Sequence, residues 1–184
     1  MHSELGQYGS LPDYAVTDDL KERFHISDDW HFAIPRLVEW RDCDAFAHVN
    51  HTTYLSWYES LRNLYFEVLG HPRHAMNVPG PVMKHLETDY LRGLSYHTPV
   101  CVTGRTVSMR NTSLVMTYAT WDADGCCNSS TQLFVMVVNE TGEKAPIPDA
   151  LRAAIIALDD PETACVQPCP LKRFPMISPD ERCS

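Results

Sequence analysis

A cluster of polar side chains early in the sequence carries the residue types most suited to chemistry at a carbonyl group. Within ten residues the chain places Asp42, Asp44, His48, Asn50 and His51. A carboxylate can activate water or attack a carbonyl carbon, and an imidazole can position water or donate to the carbonyl oxygen. An Asp before a helix also commonly accepts hydrogen bonds from nearby amides. The cluster is therefore a candidate site, and the elements around it determine how its groups are held.

One long helix is predicted to follow the cluster and to present its N-terminus to it. The stretch Trp40–Gly70 is typical of the end of a strand, a tight polar loop and a helix that is apolar over most of its circumference. Asn50 suits the N-cap, and Gly70 suits the stop. Free amides in the first turn would attract an anionic or carbonyl oxygen. Such a helix is buried against more than one surface, with a narrow polar strip formed by Ser56, Glu59, Ser60, Asn63 and Glu67.

This pattern resembles the hotdog-fold acyl-CoA thioesterases of the 4-hydroxybenzoyl-CoA thioesterase-like family. The matching motifs are Asp42-Cys43-Asp44, His48-Val49-Asn50, Tyr54-Leu55, and Glu59 with Arg62. The resemblance continues through residues 82–92 and ends near residue 158, so it covers roughly residues 33–158. Two positions depart from the family pattern: Ala47 replaces the usual Gly, and His51 replaces the usual second Asn.

The resemblance assigns a role to each residue of the cluster. It implies that Asp44 is the catalytic carboxylate, as general base or nucleophile, and that Asn50 caps the helix whose amides hold the oxyanion. His51 would assist, while Asp42 would hold the loop and His48 would stabilise the turn. Glu59 is the reserve carboxylate. The residues expected to contact substrate are His48, Tyr54, Trp57, Tyr58, Glu59 and Leu61.

The composition excludes several classes of function. A net charge of −9 argues against a nucleic-acid surface, and no apolar run is long enough to span a membrane. The first residues lack the basic start and apolar stretch of a secretory signal. Seven cysteines, an odd number spread along the chain, favour a reduced intracellular protein. We therefore expect a cytoplasmic location.

Five strands are predicted from apolar patterning and turn residues. The first is expected at His31–Trp40. In the second, Val82, Leu86 and Tyr90 are spaced to share one face. Short turns between the later strands indicate antiparallel neighbours. After the first, the predicted strands are Val82–Tyr90, Val100–Met109, Ser113–Trp121 and Thr131–Val138.

The two ends of the chain lie outside the predicted hotdog domain, residues 31–158. Residues 1–30 form an N-terminal extension, with short helical turns expected between Thr17 and Phe24 and Thr17 as their cap. A closing helix, Ala150–Leu158, is predicted with Asp149 as its cap. Residues 159–184 form a Pro-rich tail, which is expected to be irregular.

One long apolar helix and one sheet have few ways to bury their apolar faces. The sheet must curl around the helix, which is the α+β hotdog fold that the resemblance also implies. A curled antiparallel sheet has open edges, so we expect a homodimer or homotetramer.

The sequence thus favours a thioesterase that acts on an acyl or aroyl thioester of coenzyme A or acyl carrier protein. No metal or organic cofactor is expected. One alternative is a hotdog dehydratase or cyclase that acts on a carrier-bound intermediate. Another is a non-catalytic hotdog protein that binds a ligand or scaffolds partners.

Overall fold

Three α-helices and five β-strands make up the part of the chain that the structure describes, residues 11–72 and 77–161. None of these helices is long and apolar enough to cross a membrane. Short 3₁₀ helices occupy Leu11–Tyr14 and Trp40–Asp42. In this computed structural model the longer helices are α1 (Asp18–Phe24), α2 (His51–Val68) and α3 (Asp149–Asp159). The strands are β1 (Phe32–Leu37), β2 (Pro79–Tyr90), β3 (Pro99–Met109), β4 (Ser113–Asp122) and β5 (Gly125–Val138).

The five strands form one antiparallel sheet in the order β1-β3-β4-β5-β2, and α2 packs on one face of it. Tyr58, Leu61 and Tyr65 of α2 are fully buried against the sheet. The approach is close at Gly104 of β3, where an added Cβ would overlap a methyl carbon of Leu61. The expected α+β hotdog arrangement, one sheet around one long helix, is therefore confirmed.

The boundaries of the central helix and of the N-terminal helix follow their caps. The side chain of Asn50 accepts a hydrogen bond from the amide of Thr52 at 2.9 Å, and Gly70 takes a left-handed conformation with φ of 83°. Thr17 caps α1 by accepting from the amide of Leu20. These three predictions are confirmed. Asn50 and Thr17 each accept from a first-turn amide that has no acceptor within the helix, and Gly70 adopts the left-handed conformation that ends α2.

The N-terminal segment adds a small second core. Phe24 and Ile26 are buried with Ala33 of β1 and Cys101 of β3, and Trp30 packs beside them. Ala15 forms a β-bridge with Phe32, so this segment also lies along the free edge of β1.

Several predicted boundaries were wrong. β1 ends at Leu37, and Trp40 begins a 3₁₀ turn instead of ending the strand. β5 begins at Gly125, six residues earlier than predicted, because its polar first half pairs with β2 and β4. Asp149 is the first residue of α3 and does not cap it; the N-cap position is Pro148.

The face assigned to Val82 was also wrong. Val82 pairs with Val135, whereas Leu86 pairs with Gln132 and Tyr90 with Asn128. A register shift between Met83 and His85 inserts an extra residue into β2 and moves Val82 to the opposite face.

Parts of two predicted segments lie outside the described residues: residues 1–10 of the N-terminal extension and residues 162–184 of the tail. Residues 73–76, which follow α2, lie outside them as well.

Candidate functional site

The loop that carries Asp44 is a miniature hairpin. Cys43 and Val49 form an antiparallel bridge, and the amide of Asp44 donates to the carbonyl of His48 at 2.8 Å. The amide of Ala47 then closes a turn on the carbonyl of Asp44 at 3.0 Å. Ala47 has φ of 60°, in the left-handed region that favours glycine, which explains the usual glycine at this position of the family motif. The hairpin therefore fixes the backbone of Asp44 on both sides.

The Asp44 carboxylate is half-buried and has one oxygen committed. Its Oδ1 accepts from the amide of Phe46 at 2.8 Å, which is the local contact expected of an Asp in a turn. No described residue donates to Oδ2. The hydrogen bond to Oδ1 thus orients the carboxylate, and Oδ2 is left without a donor among the described residues.

Asp42 makes hydrogen bonds that connect the loop to the central helix. Its Oδ2 accepts from the amide of Glu39 at 2.8 Å, and its carbonyl accepts from the amide of Asn50 at 2.9 Å and from the hydroxyl of Thr53 at 3.2 Å. These contacts join the loop to the first turn of α2. They support the structural role expected of Asp42.

The start of α2 leaves a backbone donor beside the hairpin. The side-chain oxygen of Asn50 accepts from the amide and the hydroxyl of Thr52, and its backbone carbonyl accepts from the amide of Thr53. Among the described residues, none accepts from the amide of His51, the first residue of the helix. This amide points from the positive end of the helix and can stabilise an oxyanion.

His51 and His48 lie on the surface of this region. His51 is exposed, and its ring contacts the ring of Tyr90 edge-on with centroids 6.4 Å apart. His48 bridges to Ser95, and an added Cβ at Gly93 would lie only 2.8 Å from its ring. The segment after β2 therefore holds His48 in place.

Tyr90, at the end of β2, was not singled out as a site residue by sequence analysis. Its hydroxyl donates to the carbonyl of His51 at 3.0 Å, and its ring packs against Tyr54 with centroids 5.7 Å apart. No local signal could have revealed this contact, because the two residues lie on elements that meet only in the folded sheet.

Four other residues that were predicted to contact substrate are buried: Tyr54, Trp57, Tyr58 and Leu61. Tyr54 and Trp57 are buried and in edge contact, and Arg36 lies over the Trp57 ring. Tyr58 stacks on Tyr118 and hydrogen-bonds Thr120 and Asn128. Leu61 is part of the core against Gly104. For these side chains packing explains the burial.

Glu59 is apart from the hairpin. Its exposed carboxylate accepts from Arg62 at 3.1 Å, one helical turn further along α2. Backbone hydrogen bonds thus connect the Asp44 hairpin and Asn50 to the start of α2 at His51, whereas Glu59 lies eight residues further along the helix.

The phenols around the helix start are held neutral. Burial raises the pKa of Tyr54 to about 12, and it also raises the pKa values of Tyr58 and Tyr90. Burial, together with Asp42 and Asp44, raises the pKa of the Cys43 thiol. These groups can donate hydrogen bonds near neutral pH, but they do not supply a base or a thiolate nucleophile.

Comparisons with known proteins agree with this architecture. A family model described as the thioesterase-like superfamily matches residues 38–155. No curated protein matches the chain. Among solved structures, a thioesterase superfamily protein from Jannaschia sp. CCS1 is 28% identical with a TM-score of 0.72, covering 82% of this chain and 96% of its own.

Two further solved structures match over similar lengths. A thioesterase from Thermus thermophilus, complexed with coenzyme A and Zn, is 28% identical with a TM-score of 0.62, covering 73% of this chain and 98% of its own. A protein from Pseudomonas aeruginosa strain PAO1 is 22% identical with a TM-score of 0.65, covering 71% of this chain and 93% of its own. The last match bears on the fold alone.

Proposed function

Since the chain belongs to the thioesterase-like superfamily, we propose that it hydrolyses an acyl or aroyl thioester of coenzyme A or acyl carrier protein. One observation carries the proposal: the Asp44 carboxylate, with Oδ2 open, lies in a hairpin fastened to the helix start where the His51 amide is also open. A carboxylate and an oxyanion donor are the two groups that thioester hydrolysis needs. The coenzyme A bound to the Thermus thermophilus thioesterase supports this choice of carrier.

In the proposed reaction Asp44 acts as general base or as nucleophile. As a base, Oδ2 takes a proton from water while the water oxygen bonds to the thioester carbonyl carbon. The negative oxygen that forms is stabilised by the amide of His51, and the imidazole of His51 assists by positioning water. The carbon–sulfur bond then breaks, and the leaving thiolate takes up a proton to give the free thiol.

A homo-oligomer is part of the proposal. β2 is an edge strand with exposed Val82 and Met83, and near the hairpin Trp40 is 76% and Phe46 82% exposed. An open edge and exposed large apolar side chains are typical of surfaces that a partner covers. Pairing of two β2 strands would cover the edge, giving a homodimer that two copies could double into a tetramer. The molar mass measured by light scattering tests this, and a monomer would contradict it.

A reducing, cytoplasmic setting also belongs to the proposal. The four cysteines in the described part of the chain, Cys43, Cys101, Cys126 and Cys127, are all free. Free thiols of this kind persist where glutathione keeps them reduced.

The decisive experiment compares wild type with Asp44→Asn on a panel of short, long and aromatic acyl-CoA thioesters. We expect kcat to fall by roughly 100-fold or more, because a positioned base contributes about that much. Asp42→Asn is the matched control, since it changes a carboxylate two residues away that can keep its contact with Glu39 as an amide. This control should remain within roughly threefold of wild type.

Each other outcome points to a different conclusion. Equal rates for wild type and Asp44→Asn would remove Asp44 from the mechanism and make Glu59→Gln the next variant. If wild type cleaves no coenzyme A thioester and no carrier-protein thioester, the hydrolase proposal is wrong, and a binding role becomes the better explanation.

A further inference from the structure

Two buried polar atoms in the described part of the chain lack a hydrogen-bond partner: Nε of Arg62 and Oε1 of Gln132. Arg62 is 7% exposed and Gln132 is 1% exposed, so bulk solvent has little or no access to either side chain. Leaving a buried polar group unpaired is costly, and native proteins rarely keep such groups without a use. The two atoms therefore mark a place where a polar ligand group would be stabilised.

Both side chains lie where α2 packs beside β5 and β2, a contact region that we call the seam. The guanidinium of Arg62 lies 4.7 Å from the ring centroid of Phe134 in β5. Gln132 is two residues before Phe134, so both side chains leave β5 on the same face. Leu86 of β2 pairs with Gln132 and lies beside it in the sheet. The unpaired donor and the unpaired acceptor thus lie in one region.

The hydrogen bonds of Gln132 fix which of its atoms is open. Its Nε2 donates to Oγ of Ser130 at 3.3 Å, and Oγ of Ser130 in turn donates to the carbonyl of Glu87 at 2.9 Å. Because that hydroxyl proton is committed to Glu87, Ser130 can only accept from Gln132. The amide orientation is therefore set by the network, and the open atom is the acceptor oxygen.

An open N–H donor beside an open oxygen acceptor has a specific chemical complement. A hydroxyl group can accept a hydrogen bond from Arg62 and donate one to Gln132, so a single hydroxyl placed between the two atoms would satisfy both. A carboxylate pairs with Arg62 but can only repel the oxygen of Gln132. A plain alkyl chain satisfies neither atom. The pair therefore favours a hydroxyl over the other groups that an acyl chain commonly carries.

The distance from the start of α2 to Arg62 and Gln132 can be estimated along two elements, β5 and α2. Tyr90 lies at the helix start, bonded to His51, and pairs with Asn128, while Gln132 lies four residues further along β5. Four residues of antiparallel strand span about 14 Å. Along α2, Arg62 lies eleven residues after His51, which corresponds to about 16 Å. The two distances agree.

From these observations we propose that Arg62 and Gln132 bind a hydroxyl group near the far end of a medium-length acyl chain. The proposal rests on the thioesterase function and names its substrate class: hydroxyacyl thioesters whose hydroxyl lies about 14 Å from the reacting carbonyl. With carbon–carbon bonds near 1.5 Å, that distance requires a chain on the order of ten carbons.

The test compares kcat/KM for 10-hydroxydecanoyl-CoA, decanoyl-CoA and the corresponding ω-carboxyl thioester. We expect wild type to prefer the hydroxyl substrate by roughly tenfold or more, because a site that binds a hydroxyl disfavours the analogue without it. Gln132→Leu should remove this preference by lowering kcat/KM for the hydroxyl substrate alone. The variant should fold, since the apolar group has a similar size, removes the unpaired Oε1, and gives up only the 3.3 Å hydrogen bond to Ser130.

The outcomes separate this inference from the proposed function. Hydrolysis of all three thioesters without a hydroxyl preference, or an equal preference in Gln132→Leu, would overturn the inference while leaving the thioesterase intact. Preference for the ω-carboxyl substrate would overturn it as well. If nothing is hydrolysed, the function fails, and the inference is decided by thermal unfolding. Only 10-hydroxydecanoyl-CoA should then raise the midpoint of wild type, and Gln132→Leu should lose that rise.

Discussion

The hydroxyl of Tyr90 donates a 3.0 Å hydrogen bond to the backbone carbonyl of His51. This bond joins the last residue of β2, an edge strand, to the first residue of α2. The edge of the sheet is thereby connected to the helix N-terminus, where the amide of His51 has no acceptor among the described residues.

Tyr90→Phe should weaken catalysis more than it weakens the fold. The variant keeps the ring contacts with Tyr54 and His51 and loses only the hydroxyl, so we expect the free energy of unfolding to fall by about 1 kcal/mol or less. A looser helix start should lower kcat/KM by roughly threefold to tenfold, equivalent to about 1 kcal/mol. Urea unfolding and steady-state kinetics measure the two effects. Unchanged kinetics would show that the contact does not position the site.

Asn50→Ala should reduce both stability and activity. Loss of the cap exposes the amide of Thr52 and should lower the free energy of unfolding by about 1 kcal/mol, within a range of about 0.5–2 kcal/mol. Asn50→Ser is the matched control, because a serine oxygen can also accept from that amide and should retain most of the stability. If both variants lose activity equally while only the alanine variant is destabilised, the Asn50 side chain has a role beyond capping.

Ala47→Gly should stabilise the hairpin. Ala47 has φ of 60°, a conformation that costs a residue with a Cβ about 1–2 kcal/mol. Glycine removes this cost but adds about 0.4–1 kcal/mol of unfolded-state entropy, so the net gain should lie between about 0 and 1.6 kcal/mol. Ala45→Gly, in the same turn but without positive φ, should only destabilise. Equal effects of the two substitutions on the denaturation midpoint would contradict this explanation.

A buried carboxyl at the end of α3 makes stability depend on pH. Oδ2 of Asp159 accepts from the hydroxyl of Tyr65 at 2.6 Å and from the amide of Thr106 at 2.7 Å, and its Oδ1 lies 3.4 Å from Nδ1 of His31. Burial raises the pKa of Asp159 above its ordinary value of 3.8, against the opposing effect of these hydrogen bonds. The native state therefore takes up the proton at a higher pH than the unfolded state does.

Asp159→Asn should reveal this linkage. As pH falls from 7 towards 4, the native wild type binds more protons than the unfolded chain, so its stability should rise relative to the variant and level off below pH 3.8. Asparagine retains an acceptor for Tyr65 and Thr106, so the comparison isolates the charge. Free energies of unfolding in urea measure the difference between wild type and Asp159→Asn. Repeating the comparison in proteins that also carry His31→Gln removes the contribution of the imidazole. A relative stability that falls with acidification would contradict the raised pKa.

Sequence patterning predicted the elements whose determinants are local. Asn50 and Gly70 bound α2 because a cap and a left-handed stop depend on one or two residues. Local patterning failed where pairing decided the outcome. The polar start of β5 is strand because β2 and β4 hydrogen-bond to it, and Val82 changes face because of a bulge in the β2–β5 ladder.

For the candidate site, sequence by itself determined the composition of the hairpin and the helix that follows it. Asp44, Asn50 and His51 are close in the chain, so their proximity needs only one loop and one cap. Only the tertiary structure brought Tyr90 to His51 and placed Arg62 of α2 over Phe134 of β5, two residues from Gln132. These relationships span distant parts of the chain, and they exist because the curled sheet carries β2 and β5 to the side of α2. Local propensities cannot specify such pairings, since packing and strand register decide them.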